Sequence, residues 1–95
     1  MVPKVHAKDI FEIDAASWAA VMEVVRKLAG VIEEAMGANG INLAMNNRDT
    51  AGQVVDHAHV HIIPRHTGDG FKQWAQHSYK DGEIDTVREK IVSSL

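Results

Sequence analysis

Histidine occupies every second position in the run His57-Ala58-His59-Val60-His61, which continues as Ile62-Ile63-Pro64-Arg65. No other feature constrains the fold of this chain as strongly. Successive side chains on a β-strand point to opposite faces, so residues two apart share one face. The spacing therefore predicts a strand over 54–63, with three imidazoles on one surface and Ala58, Val60 and Ile62 turned towards a core. Packing asks for no such row. Imidazole changes its charge near neutral pH, so the row can supply a nucleophile, a proton carrier or metal ligands. A purification tag is excluded, because tag histidines are contiguous and terminal. Two other readings stay open at this point. One is a solvent-facing strand without chemistry; the other is a zinc site, for which His-x-His on a strand offers suitable nitrogen donors.

The rest of the chain reads as helix and strand around that run. Val2 to His6 is predicted as a short strand and Lys8-Asp9-Ile10-Phe11 as a turn. Asp14 and Ser17 are candidate caps for a long helix. Trp18, Val21, Met22, Val25, Leu28, Ala29, Ile32 and Met36 recur at intervals of three and four, an amphipathic period that ends near Gly37 and Gly40. A core stripe explains these residues better than a cofactor-lining row does. Residues 41–46 read as a further strand, and the polar and glycine-bearing stretch 47–53 as the connection to the histidine strand. Pro64 has no amide donor, so it must end the ladder or lie on its edge. Ile84, Val87, Ile91 and Leu95 mark a final helix of three turns. The expected fold class is α+β: an antiparallel sheet with one long amphipathic helix and a short C-terminal helix, in one domain spanning 1–95.

Asn46, then Gly52-Gln53, then His57 to Ile63 with Pro64-Arg65 and Gly68-Asp69-Gly70-Phe71 behind it, resembles the pattern of the histidine triad (HIT) family. Val2-Pro3-Lys4-Val5-His6 is similar to that family's Pro-Lys-x-His segment. Trp74, Tyr79 and the terminal helix fit its bacterial branch. The resemblance implies a HIT-like fold and nucleotidyl transfer to histidine, in which the middle imidazole, His59, attacks the α-phosphorus and water later releases the nucleotide. It makes His57 and His61 the flanking catalytic residues, where positive charge would stabilise the transition state. It makes Asn46, Gln53, His6 and the main-chain N–H of Val54 substrate-binding groups. The substrate class it implies is a nucleoside monophosphate ester, amidate or anhydride, of the AMP-amide (phosphoramidase) or diadenosine polyphosphate type. The partners it implies are a purine nucleotide and a second copy of the chain.

Two departures from the family pattern bear on these expectations. The chain corresponds to about the C-terminal two-thirds of the usual family domain, beginning at the Pro-Lys-x-His segment. The family's first strands, which supply the nucleobase pocket and an acidic contact to the ribose, have no counterpart, so the edge beside residue 2 is expected to recruit a partner. Bacterial members often bind zinc through an N-terminal Cys-x-x-Cys with two histidines. This chain has no cysteine, so no cofactor is required by the reading, and zinc could engage only residues such as His6 and His57. The second departure is Val54, which stands where relatives carry Ser or Thr. The lost hydroxyl removes a hydrogen bond worth about 1 kcal/mol, roughly fivefold in rate.

Composition narrows the alternatives. With 45% hydrophobic and 24% charged residues, the chain has the make-up of a folded domain and not of a disordered one. A net charge of −3 with no basic run gives nucleic acid no electrostatic footprint. The absence of cysteine speaks against a disulfide-stapled secreted domain. No signal peptide or apolar run of membrane length is present, and a cytoplasmic location without a membrane partner is expected. His66 and His77 fall outside the motif and read as surface residues. The competing function is a non-catalytic nucleotide- or metal-binding module that keeps the imidazoles but lacks the base pocket. The coding sequence upstream of Met1 would separate the two.

Overall fold

The computed structural model describes residues 1–70 and 82–95. Phe71, Trp74, His77 and Tyr79 lie outside the described residues. Asp14 accepts the Ser17 N–H at 2.9 Å and starts the long helix α1, Ala15–Met36. Gly37 ends it at φ 60°, a left-handed conformation that favours glycine, and its N–H returns to the Glu34 carbonyl at 3.2 Å. Both ends fall where the sequence puts them. The α1 stripe is also inward as expected: Val21 and Val25 are buried, with Trp18 and Met22 packed beside them.

Strand β1 spans Gly40–Ala44 and strand β2 His61–Arg65. They pair antiparallel, with Gly40 opposite Arg65 and Ala44 opposite His61. A single 3-10 turn at Asp49–Ala51 lies in the connection, and helix α2, Glu83–Ser94, packs against α1. The fold is α+β as expected. Among the described residues, no helix is long and apolar enough to cross a membrane.

The predicted strand limits need correcting. Residues 2–6 form no strand. Pro3 has no N–H, and the segment meets the histidine run only at separate points. Met1 and Val60 exchange two bonds of 2.8 Å, and the Ala58 N–H donates to the Ala7 carbonyl at 2.7 Å. The same pattern explains why the ladder covers 61–65 and not 54–63, for residues 54–60 have isolated bonds where a strand partner would supply a series. With no strand at 2–6, the argument for an unpaired edge there falls. The 41–46 strand is likewise observed as 40–44. Pro64 sits inside β2 opposite Ile41, and β2 has only β1 beside it among the described residues, so the missing donor leaves no ladder position empty. In α2 only Val87 and Ile91 of the expected stripe are half-buried, while Ile84 and Leu95 are exposed.

The period of two survives in burial where it fails as a ladder. Ala58 and Val60 are only 2% and 4% exposed, whereas His57, His59 and His61 are half-buried. Val60 joins Val21 and Val25 in the core, with Met1, Met45 and Ile62 around them. One face of the run thus anchors on α1 and the other carries the imidazoles.

Candidate active site

The three imidazoles face an open depression of about 610 Å3 lined by Met1, Val2, Val55, His57, His59, Val60 and His61. That volume lies within the range of small-ligand sites. His59 Nδ1 lies 2.8 Å from the His57 carbonyl. A carbonyl can only accept, so Nδ1 carries the hydrogen and the neutral ring keeps its lone pair on Nε2. His57 is fixed in the opposite sense, its Nε2 donating to the Pro3 carbonyl at 3.1 Å. Pro3 thereby orients the first histidine of the row, a contact available because the 1–7 segment runs alongside.

The rings meet in two edge-to-face pairs. His59 and His61 have centroids 5.0 Å apart at 83°, and His6 meets His57 at 5.5 Å and 60°. The structure thus brings His6 to the row, from an irregular segment and not from a neighbouring strand. Burial, then His59, then the N-terminal ammonium hold the His61 pKa below the ordinary imidazole value of 6.5. At neutral pH His61 is therefore mainly uncharged, so it offers an acceptor or a transient proton carrier and not a standing cation.

The other expected site residues are placed as follows. Asn46 lies just past β1, and its amide donates to the Gly52 carbonyl at a long 3.4 Å, across the mouth of the 47–53 connection. Gly52 has φ 91°, and a Cβ there would stand 3.3 Å from Asn46 Nδ2, so glycine both allows the turn and leaves room for the amide. Gln53 is buried, and its amide is spent on the main chain. It donates to the Lys8 carbonyl at 2.6 Å and the Val55 carbonyl at 2.9 Å, and it accepts from the Arg48 N–H at 2.7 Å. Gln53 therefore ties the 46–53 connection, the segment after His6 and the start of the histidine run together. Val54 is 91% exposed beside it. Among the described residues, no group of three or more His, Cys, Asp or Glu is disposed to hold a metal ion. His6 and His57 alone fall short of the three or four donors zinc takes, so these residues do not fit a zinc centre.

Three features escaped the sequence reading. Asp9 is buried and accepts the N–H groups of Phe11 and Glu12, which sets the turn that the local sequence did announce. Asn47 Oδ1 accepts the Ile10 N–H at 2.8 Å, joining that turn to the connection. Arg48 stacks on Phe11 at 4.0 Å from the ring centroid. The last two contacts span 37 residues in sequence, and no local pattern announces them.

A segment anchored on α1 thus presents three alternating imidazoles over an open pocket, with one ring's tautomer fixed by the preceding histidine's carbonyl. The HIT domain pattern matches residues 1–68, and the chain belongs to the HIT family. An adenylylsulfatase of Arabidopsis thaliana is 36% identical over 97 residues, covering 100% of this chain and 48% of that protein. An adenosine 5'-monophosphoramidase of Schizosaccharomyces pombe is 33% identical over 98 residues, covering 100% of this chain and 70% of that protein. The crystal structure of a HIT-like protein from Bartonella henselae superposes with a TM-score of 0.81 at 26% identity, covering 99% of this chain and 67% of that one. The chain thus spans from about half to about two thirds of the length of these proteins. Relatives named as hydrolases of adenylyl compounds support nucleotide hydrolysis as the general activity of the family to which the chain belongs.

Proposed function

We propose that the chain hydrolyses nucleoside monophosphate esters, amidates or anhydrides, with adenylyl compounds as the substrate class, through a nucleotidyl intermediate on His59. The observation that carries this reading is the bond from His59 Nδ1 to the His57 carbonyl, which leaves Nε2 as the reacting nitrogen. In the first half-reaction, Nε2 forms a bond to the α-phosphorus while the bond from phosphorus to the leaving group breaks. The electron pair departs with the leaving nitrogen or oxygen, and a neighbouring imidazole or solvent supplies its proton. In the second, water attacks the same phosphorus and passes its proton to the imidazole or solvent that supplied the first one, while the P–N bond breaks to release the nucleotide and restore His59. Splitting one displacement into two is the advantage of a nucleophilic residue. The main-chain N–H of Val54 and the amide of Asn46 are the phosphate-side contacts of this reading, with a purine nucleotide as ligand, a homodimer as the working assembly and the cytoplasm as its place.

The test is the adduct. His59→Asn should abolish turnover of an AMP amide while AMP affinity stays within about tenfold, a margin of about 1.4 kcal/mol. His57→Ala and His61→Ala should slow the reaction without stopping it. Intact-mass spectrometry of the unmodified protein mixed with substrate should show a gain of one nucleotidyl group, localised to His59 by peptide mapping. If the protein binds AMP but shows neither turnover nor adduct, it is a nucleotide-binding module and the enzymatic reading is wrong.

A further inference from the structure

The pocket over the histidine row is larger than a phosphate group needs. Its volume of about 610 Å3 falls in the range that takes a whole small ligand. Beside the three imidazoles its wall is made of Met1, Val2, Val55 and Val60, so the imidazoles are its only polar side chains. Val60 is already buried in the core. Val2 and Val55 are not, at 55% and 59% exposed. Main-chain bonds hold both of them in place. Val2 stands between Met1, which exchanges two bonds of 2.8 Å with Val60, and Pro3, whose carbonyl accepts from His57 Nε2 at 3.1 Å. The Val55 carbonyl accepts from the Gln53 amide at 2.9 Å. Two apolar side chains from distant segments are therefore fixed at one site and left in water.

Such a surface favours a ligand in proportion to the apolar area the ligand takes out of water. A second anionic group would find no Lys or Arg side chain in the lining to pair with. We propose that Val2 and Val55 are specificity-determining residues that bury an uncharged ring carried by the substrate beside its α-phosphate. The proposal rests on the nucleotidyl-transfer reading and adds to it what the pocket accepts besides the phosphate. A nucleobase and an aromatic leaving group present the same chemistry, and binding measurements tell them apart.

Calorimetric titration of the full chain carrying His59→Asn, which leaves the ligands intact, compares two pairs. AMP against ribose 5-phosphate, which lacks the base, isolates the nucleobase. The phenyl ester of AMP against its methyl ester isolates an aromatic leaving group. In at least one pair the ring-bearing ligand should bind about tenfold more tightly. Val2→Ser and Val55→Ser should each reduce that preference about threefold to fivefold, the size expected for a valine already partly buried. Affinity for the ringless ligand of the pair should stay within about twofold, because the imidazoles are untouched. A reduction in the first pair assigns the valines to the base, and one in the second assigns them to the leaving group. No preference in either pair, or a preference that both variants leave intact, overturns the role given to the valines and leaves the histidine chemistry standing. An equal loss for all four ligands does the same, since the valines would then only support the row. Failure of the unmodified protein to bind AMP overturns both.

Discussion

Replacing Gln53 with leucine tests the architecture of the site more directly than replacing any histidine. The buried amide makes three bonds, at 2.6, 2.9 and 2.7 Å, to the main chain of Lys8, Val55 and Arg48. Leucine fills a similar volume and makes none of them. A hydrogen bond contributes about 1 kcal/mol net, so the direct loss is about 3 kcal/mol, and an orphaned buried partner would add to it. Lys8, Arg48 and Val55 are exposed residues, so water can reach part of what is freed, and a loss of about 2–3 kcal/mol is expected. Against a stability of about 5–15 kcal/mol for a small domain this is a large fraction. With a urea slope of about 1–1.5 kcal/mol/M for a chain of this size, the unfolding midpoint should fall by about 2 M. Gln53→Glu separates hydrogen bonding from volume. The carboxylate still accepts from Arg48 but turns negative oxygens on the Lys8 and Val55 carbonyls. It should be worse than leucine at pH 7 and should recover towards pH 5, measured against wild type at each pH, because the protonated acid regains one donor. A leucine variant whose midpoint lies within about 0.3 M of wild type would refute the reasoning, and the Gln53 amide would then belong to the ligand and not to the scaffold.

Other perturbations give further expected outcomes. Gly52→Ala combines φ 91° with a Cβ 3.3 Å from Asn46 Nδ2, so it should cost more than about 1 kcal/mol in urea unfolding and weaken AMP binding through the displaced amide; an unchanged midpoint with unchanged affinity would contradict this. Val25→Ala at the fully buried centre of the core removes about two methylene equivalents and leaves a cavity, and should cost about 2 kcal/mol by the same measurement. The His61 pKa is depressed below 6.5 in the fold by burial, His59 and the N-terminal ammonium. The unfolded chain therefore takes up that proton first, and the contribution of this group is constant above about pH 6.5 and falls as pH drops towards the folded pKa. His61→Gln should flatten the decline in urea midpoint between pH 7 and pH 5, and equal slopes for wild type and variant would count against the depression.

What the sequence could announce depended on how local the cause was. The Asp14 cap, the Gly37 stop and the inward stripe of α1 are each decided within a few residues, and each was legible. The facing of the histidine run was legible too, because a period of two fixes which side chains share a face whether or not a ladder forms. Its strand limits were not. They depend on which main chain comes alongside, and here segment 1–7 offers the run isolated bonds to Met1 and Ala7 in place of a paired strand. The tautomer of His59 lay between these cases. Its partner carbonyl is only two residues away, yet the bond needs the bent main chain at 55–57, which no alternation pattern encodes. Gln53 stood beside the motif and invited a ligand-facing role, but its partners lie at residues 8, 48 and 55, and contacts of that range leave no periodic trace. The histidines that would do the chemistry could be read from spacing, while the groups that hold them, Pro3 on His57 and Gln53 across the connection, emerged only once distant segments were brought together. The asymmetry has a physical basis. Reactivity resides in side-chain chemistry that the sequence writes out directly, whereas orientation is supplied by main-chain carbonyls that every residue carries and none advertises.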